Sequence, residues 1–93
     1  SDTLKEGRRY LTLKQEISLS VSDDLLFNEA KEQDLSQGTN LYPYATDGES
    51  YMIFELSDGR YAKALLEIDE ESYSFSISGI DQYELFEDIF YAG

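Results

Sequence analysis

Carboxylates are the most numerous ionisable side chains of this sequence, so they are the first candidates for catalysis or ion binding. The 93 residues include 20 Asp and Glu against 7 Lys and Arg, with no His and no Cys. The usual general base and the thiol nucleophile are therefore missing, and no Gly-x-Ser-x-Gly sequence indicates a serine hydrolase. We predict that the chain is not an enzyme.

Two acidic clusters could suit a calcium ion: Asp69 to Glu71, and Asp47-Gly48-Glu49. Neither has the alternating acids, central Gly and final Glu of a calcium-binding loop. Glycoside hydrolysis needs two carboxylates facing across a cleft, and a chain this short has little material left to build one after filling its core. We predict solvated turns at both places, and neither a metal nor a cofactor.

The charge is unevenly distributed along the chain. Residues 64–93 contain 8 acids and no Lys or Arg, and thus hold −8 of the net charge of −13. Such a chain repels a phosphate backbone, and it has no phosphate-binding glycine motif, so we predict no direct nucleic-acid binding. Its acids could instead occupy a basic groove of another protein, and the candidate acidic surface is Glu84, Glu87 and Asp88.

Length and composition predict one small domain spanning residues 1–93. Hydrophobic residues make up 41% of the chain, with 8 Tyr and 5 Phe, unlike the composition of disordered acidic chains. No apolar stretch approaches the roughly 18 to 20 residues of a membrane span, so we predict no membrane insertion.

The N-terminal third alternates apolar and polar residues. Leu11, Leu13, Ile17, Leu19 and Val21 share one parity, which is typical of a half-buried strand, and residues 9–21 should form one bent strand or two short ones. Ser22 then fits a helix N-cap, followed by two Asp residues suited to the helix dipole. We predict a helix over about residues 23–33.

Residues 34–50 carry several kinds of turn chemistry and are predicted to form the main loop. The centre of this segment is apolar and aromatic, and it gives the candidate partner-binding residues: Leu41, Tyr42, Tyr44 and Tyr51. One interpretation is a plug over one end of the core, because large exposed apolar patches are rare. The other is a contact surface, because Tyr is enriched at interfaces.

Residues 51–69 predict a β-hairpin, since Asp58-Gly59 separates two alternating runs. A third strand should follow, with Tyr73, Phe75 and Ile77 inward. Its outward side is lined with serines, and we predict that it is a free sheet edge through which two copies could pair.

The C-terminal segment predicts a helix. Asp81 fits an N-cap, with Glu84 completing a capping box and Leu85 packing against the residue before the cap. Leu85, Phe86, Ile89 and Phe90 share one helical stripe, which we expect to cover the open face of the sheet.

Together these elements predict an α+β fold: an antiparallel sheet of four or five strands packed by one or two helices, in the order β-α-β-β-β-α. The alternative is a partly open β-barrel or roll with a C-terminal helix. The first function hypothesis is a non-enzymatic protein-interaction or accessory module, part of a longer secreted or cell-surface protein. The second is a small acidic inhibitor, antitoxin-like or nucleic-acid-mimic protein that blocks a basic site.

Overall fold

The computed structural model describes residues 4–87 and the backbone of residues 90–91, and this part of the chain is nearly all β. It contains nine strands: β1 (Arg9–Thr12), β2 (Ile17–Ser22), β3 (Lys31–Leu35), β4 (Asn40–Thr46), β5 (Tyr51–Leu56), β6 (Tyr61–Asp69), β7 (Ser74–Ile77), β8 (Ile80–Asp81) and β9 (Phe90–Tyr91). One helix, α1 (Gln82–Leu85), is found in these residues. The predicted α+β class and element order are therefore wrong, as is the alternative that relied on a C-terminal helix.

The strands form one antiparallel sheet in the order β3-β2-β6-β5-β4-β1-β9. Strand β6 is nine residues long, so its first half pairs with β2 and β5 while its second half pairs with β7. Strand β8 pairs with β7, and a bridge between Leu13 and Phe86 joins the residues after α1 to the end of β1. The segment β7-β8-α1 therefore connects β6 back to β1.

The core lies on one side of the sheet and follows the predicted alternation. The predicted inward residues of the first third are all buried, which confirms that pattern, and the two-strand alternative is the one observed. The hairpin of β5 and β6 is also confirmed, with Gly59 at a φ of 91° in its turn. Phe86 packs between Phe54 and Phe75, with ring centroids 6.2 and 6.3 Å away.

The predicted helix over residues 23–33 is wrong. The side chain of Ser22 accepts a hydrogen bond from the N–H of Asp24, and Asp24 accepts one from Leu26, so the capping residues close a turn instead. Phe27 has a φ of 56°, which a right-handed helix does not allow. Leu26 is 79% exposed, and residues 31–35 pair with β2 as a strand.

The predicted loop over residues 34–50 is also wrong, because its middle is the strand β4. Turns do occur at both ends: Gly38 has a φ of 90°, and the Asp47 carboxylate accepts hydrogen bonds from three backbone N–H groups. Between them β4 pairs with both β5 and β1. The turn residues therefore lie on either side of a strand that contains Pro43.

The predicted C-terminal helix is shortened to four residues. Asp81 is its N-cap, as predicted, and accepts a hydrogen bond from the N–H of Tyr83. Phe86 is already extended, with φ −120° and ψ 145°, and the N–H of Lys14 donates to the carbonyl of Leu85 at 2.8 Å. Pairing with β1 therefore replaces the helix. Of the predicted stripe, Leu85 and Phe86 are buried, Ile89 lies outside the described residues, and Phe90 belongs to β9.

The free edge predicted at residues 73–78 is not observed. Strand β7 pairs with β8, and the Gln82 side chain accepts a hydrogen bond from the N–H of Phe75 at 2.7 Å. Tyr73, predicted to face inward, is 90% exposed, while Ser74, predicted to face outward, is buried. Within residues 4–87 and 90–91, no helical segment has the length and apolar character that crossing a bilayer requires.

Candidate contact surface on the outer face of the sheet

The side of the sheet opposite the core is rich in tyrosine. Phe54 is buried in the core, so its neighbours Ile53 and Glu55 point the other way. The strand register places Tyr42 and Tyr61 opposite Glu55, and Lys63 opposite Ile53. We call this side the tyrosine face, and it comprises Tyr10, Tyr42, Tyr44, Tyr51 and Tyr61, together with Lys63 and Leu65. Five of the 8 tyrosines of the chain thus share one surface.

One end of the tyrosine face is sealed by the residues that precede β1. Tyr42 is 0% exposed, and its ring lies 5.8 Å from that of Tyr10. The backbone N–H of Lys5 donates to the Tyr42 hydroxyl at 3.0 Å, and the Lys5 and Arg8 cations each lie 5.7 Å from the Tyr42 ring centroid. Glu55 pairs with both cations, at 3.6 and 3.1 Å. Tyr42 is therefore a structural residue, held by a strap of residues 5–8.

The other end of the tyrosine face is open. Tyr44 is 48% exposed, and its ring meets that of Tyr61 edge on, at a centroid distance of 5.3 Å. The pairing of β4 with β5 shifts register between Pro43 and Ala45, so Tyr44 is the extra residue of a β-bulge. Bulges redirect side chains and strengthen the local twist. This bulge directs an aromatic ring into solvent two residues beyond a fully buried one.

Burial raises the pKa of the Tyr61 hydroxyl above its ordinary value of 10.0, and the neighbouring Tyr44 and Glu55 raise it further. The neutral phenol is favoured because its surroundings solvate an anion poorly and already contain a carboxylate. Tyr61 can therefore donate a hydrogen bond throughout the neutral pH range. The ring pair offers apolar area with a polar tip, which is typical of interface residues.

Lys63 lies at the centre of the open end. Its ammonium is 5.0 Å from the ring centroid of Tyr51 and 6.0 Å from that of Phe27. Among the residues that the structure describes, it forms no ion pair with a carboxylate. Beside it on the same strand, Leu65 is 72% exposed. An ammonium held over aromatic rings and an exposed aliphatic side chain therefore lie side by side on this surface.

The two acidic clusters of the sequence analysis, at Asp47 and at Asp69, stabilise the turns in which they lie. Hydrogen bonds from Ser50 and from the backbone N–H groups that follow lower the pKa of Asp47 well below its ordinary value. Hydrogen bonds from Ser72 and Glu71 lower the pKa of Asp69 in the same way. In the described part of the chain, no three acidic groups converge where they could hold a metal ion. These carboxylates serve the turns that contain them.

The candidate acidic surface is not assembled as predicted. Glu84 is exposed on α1, whereas Glu87 is exposed in the extended segment after α1, so the two do not share a helix face. Asp88 lies outside the described residues. A cavity of about 730 Å³ lies nearby, among Leu11, Met52, Phe75 and Phe86, and its described lining contains one carboxylate, that of Glu87. Two-carboxylate chemistry has no support there.

The four candidate partner-binding residues are divided between the two faces. Leu41 is 0% exposed in the core, Tyr42 is buried at the sealed end, and Tyr44 and Tyr51 lie at the open end. Tyr61 and Lys63 also belong to this surface, and neither was predicted from the sequence. Their outward direction follows from the predicted alternation of β6, but the contact of Tyr61 with Tyr44 required β4 to be recognised as a strand.

The chain was compared with protein-family models, with curated protein sequences and with solved structures, and no match was found.

Proposed function

We propose that this chain is a non-enzymatic protein-interaction module, and that its contact surface is the open end of the tyrosine face. The observation that carries the proposal is the half-exposed Tyr44 ring, braced by Tyr61 and continuous with Lys63 and the exposed Leu65. Interface cores are enriched in aromatic residues, and hot spots cluster where rings are already held in place. Catalysis has less support, because the chain contains no His or Cys.

The test compares two exposed tyrosines in quantitative affinity enrichment from an extract of the cells that produce the protein. Tyr44→Ala should remove a bound protein that the original chain retains, because it deletes an anchoring ring. Tyr83→Ala is the matched control, since Tyr83 is 67% exposed on α1, away from the tyrosine face. Loss with Tyr83→Ala but not with Tyr44→Ala would contradict the proposal.

The second hypothesis, an acidic protein that blocks a basic site, now relies on the net charge of −13 alone. The helical row of acids on which it depended does not form, because α1 ends at Leu85. Salt separates the two hypotheses. Binding through exposed acids should weaken steeply as salt is added, whereas binding through Tyr44 should change little.

A further inference from the structure

Strand β6 presents an outward row of side chains with opposite charges on the two sides of Leu65. Ala62 and Ala64 are fully buried, so the alternate residues Lys63, Leu65 and Glu67 point to the outer side. Lys63 precedes Leu65 by two residues and the exposed Glu67 follows it by two. A cation and a carboxylate therefore lie about 6.6 Å from Leu65 in opposite directions along the strand.

Such a row is complementary to itself. In a two-fold dimer the same patch is used by both copies, so residue i of one copy meets residue j of the other, and the reverse. A two-fold axis at Leu65 would lay the two β6 strands antiparallel, with Leu65 against its own copy. Lys63 would then face Glu67 of the second copy, twice.

We propose that the partner bound by the tyrosine face is a second copy of this chain, paired face to face about a two-fold axis at Leu65. The inference rests on the proposed function, since it uses the same surface. Sheets that pack face to face keep their strand directions within about 30° of each other, so side chains close to the axis stay opposite their partners.

The local charge of the outer face permits this pairing despite the net charge of −13. Lys5, Arg8 and Lys63 balance Glu55 and Glu67, which leaves this part of the face at +1. Glu32 and Asp34 point the same way by register, but from the edge strand β3, about 10 Å from β6. By the same alternation Asp69 points outward at the end of β6, so the face as a whole carries −2. The attraction between Lys63 and Glu67 must therefore exceed a repulsion among these outlying acids, which salt reduces.

Both groups of the proposed ion pair are available. In the part of the chain that the structure describes, neither Lys63 nor Glu67 forms an ion pair. The molecule measures 35 × 32 × 22 Å, so its broad side is large enough for the ~800 Å² per partner of a typical stable interface.

The test is sedimentation of the intact chain and three charge variants over a range of concentrations. The original chain should form dimers. Lys63→Glu should weaken dimerisation at least about tenfold, because it places two carboxylates together at each of two symmetric contacts. Glu67→Lys should do the same with two ammonium groups. The double variant, Lys63→Glu with Glu67→Lys, should restore the dimer by exchanging the charges.

Lys31→Glu is the matched control, because it makes the same charge change at an exposed residue of the edge strand. Equal weakening by Lys31→Glu and Lys63→Glu would overturn the proposal, as would failure of the double variant to restore the dimer while its circular dichroism spectrum stays native. A monomer at all concentrations up to about 1 mM would also overturn it, since weaker pairing would be too weak to matter at ordinary protein concentrations.

Failure of self-pairing can be told apart from failure of the proposed function. If the chain is monomeric but Tyr44→Ala still removes a different bound protein, the contact surface stands and only the identity of its partner is wrong. If neither a dimer nor a Tyr44-dependent partner is found, both proposals fail.

Discussion

The two ends of the tyrosine face use the same residue type in opposite ways. Tyr42 and Tyr44 are two residues apart on one strand and lie on one side of the sheet, yet Tyr42 is 0% and Tyr44 48% exposed. The strap of residues 5–8 covers the first, and the bulge after Pro43 lifts the second into solvent. A covering segment and a local irregularity, more than residue type, therefore separate a buried structural tyrosine from an exposed one that is open to a partner.

The largest effect on this comparison should come from removing the buried ring. Tyr42→Ala leaves a cavity beneath the strap and should lower the free energy of unfolding by about 3 to 5 kcal/mol, as for other buried aromatic residues. Tyr44→Ala should lower it by less than about 1 kcal/mol, because half of that ring is already in water. Urea denaturation measures both values. Equal losses for the two variants would contradict the distinction between the ends.

A smaller effect is expected from the Tyr42 hydroxyl alone. Tyr42→Phe keeps the ring but leaves the N–H of Lys5 without its acceptor, which should cost about 0.5 to 1.5 kcal/mol. The expected signature is faster hydrogen exchange at the Lys5 amide, measured by NMR. Tyr44→Phe is the control and should leave exchange at Lys5 unchanged. Unaltered exchange in Tyr42→Phe would mean that this hydrogen bond does not hold the strap.

The ion pairs of the strap should contribute less again. Glu55→Gln leaves the Lys5 and Arg8 cations without a counter-charge and should lower the free energy of unfolding by up to about 1 kcal/mol, with a smaller difference at high salt because the pairs are partly exposed. Glu49→Gln, at an exposed carboxylate in a turn, is the control. A loss in Glu49→Gln as large as that in Glu55→Gln would show that net charge is responsible.

The smallest expected effect is a change in titration at the open end. Tyr44→Phe should lower the pKa of Tyr61 toward 10.0, because it removes one of the groups that raise that pKa. An NMR titration of the Tyr61 ring measures it, because ultraviolet absorbance would sum the phenolates of all 8 tyrosines. The folded chain retains the Tyr61 proton at a pH where the unfolded chain has lost it, so the free energy of unfolding should fall as the pH rises above 10.0. A Tyr61 pKa unchanged by Tyr44→Phe would argue against an electrostatic effect of the Tyr44 hydroxyl on Tyr61.

Alternation made much of the core predictable from the sequence. Residues 11–21 and 51–69 change faces with period two, and a buried face tolerates no register slip, so the inward residues and the hairpin could be read directly. The helix over residues 23–33 could not be excluded in the same way. A Ser followed by two Asp caps a helix or closes a turn with the same hydrogen bonds, and the φ of Phe27 that decides between them has no signal in the sequence.

The candidate contact surface was only partly predictable, because β4 lies between segments rich in turn residues. Pro43 argues against a strand inside a sheet, and it is tolerated here beside a bulge. Once β4 is recognised, the register brings Tyr44 to Tyr61. As consecutive residues of a strand, Leu41 and Tyr42 point to opposite faces of the sheet, and the apolar composition of the segment does not reveal this. The predicted C-terminal helix failed for a related reason: local capping signals were correct, but pairing with β1 was available to the residues that follow.

The central claim, that the open end of the tyrosine face contacts a partner, is tested most directly by photo-crosslinking. A photoreactive phenylalanine is placed at position 44 or, in a separate sample, at position 83, and the full chain is irradiated in a cell extract. We expect a protein adduct from position 44 and none above background from position 83. Adducts from position 83 alone would contradict the account.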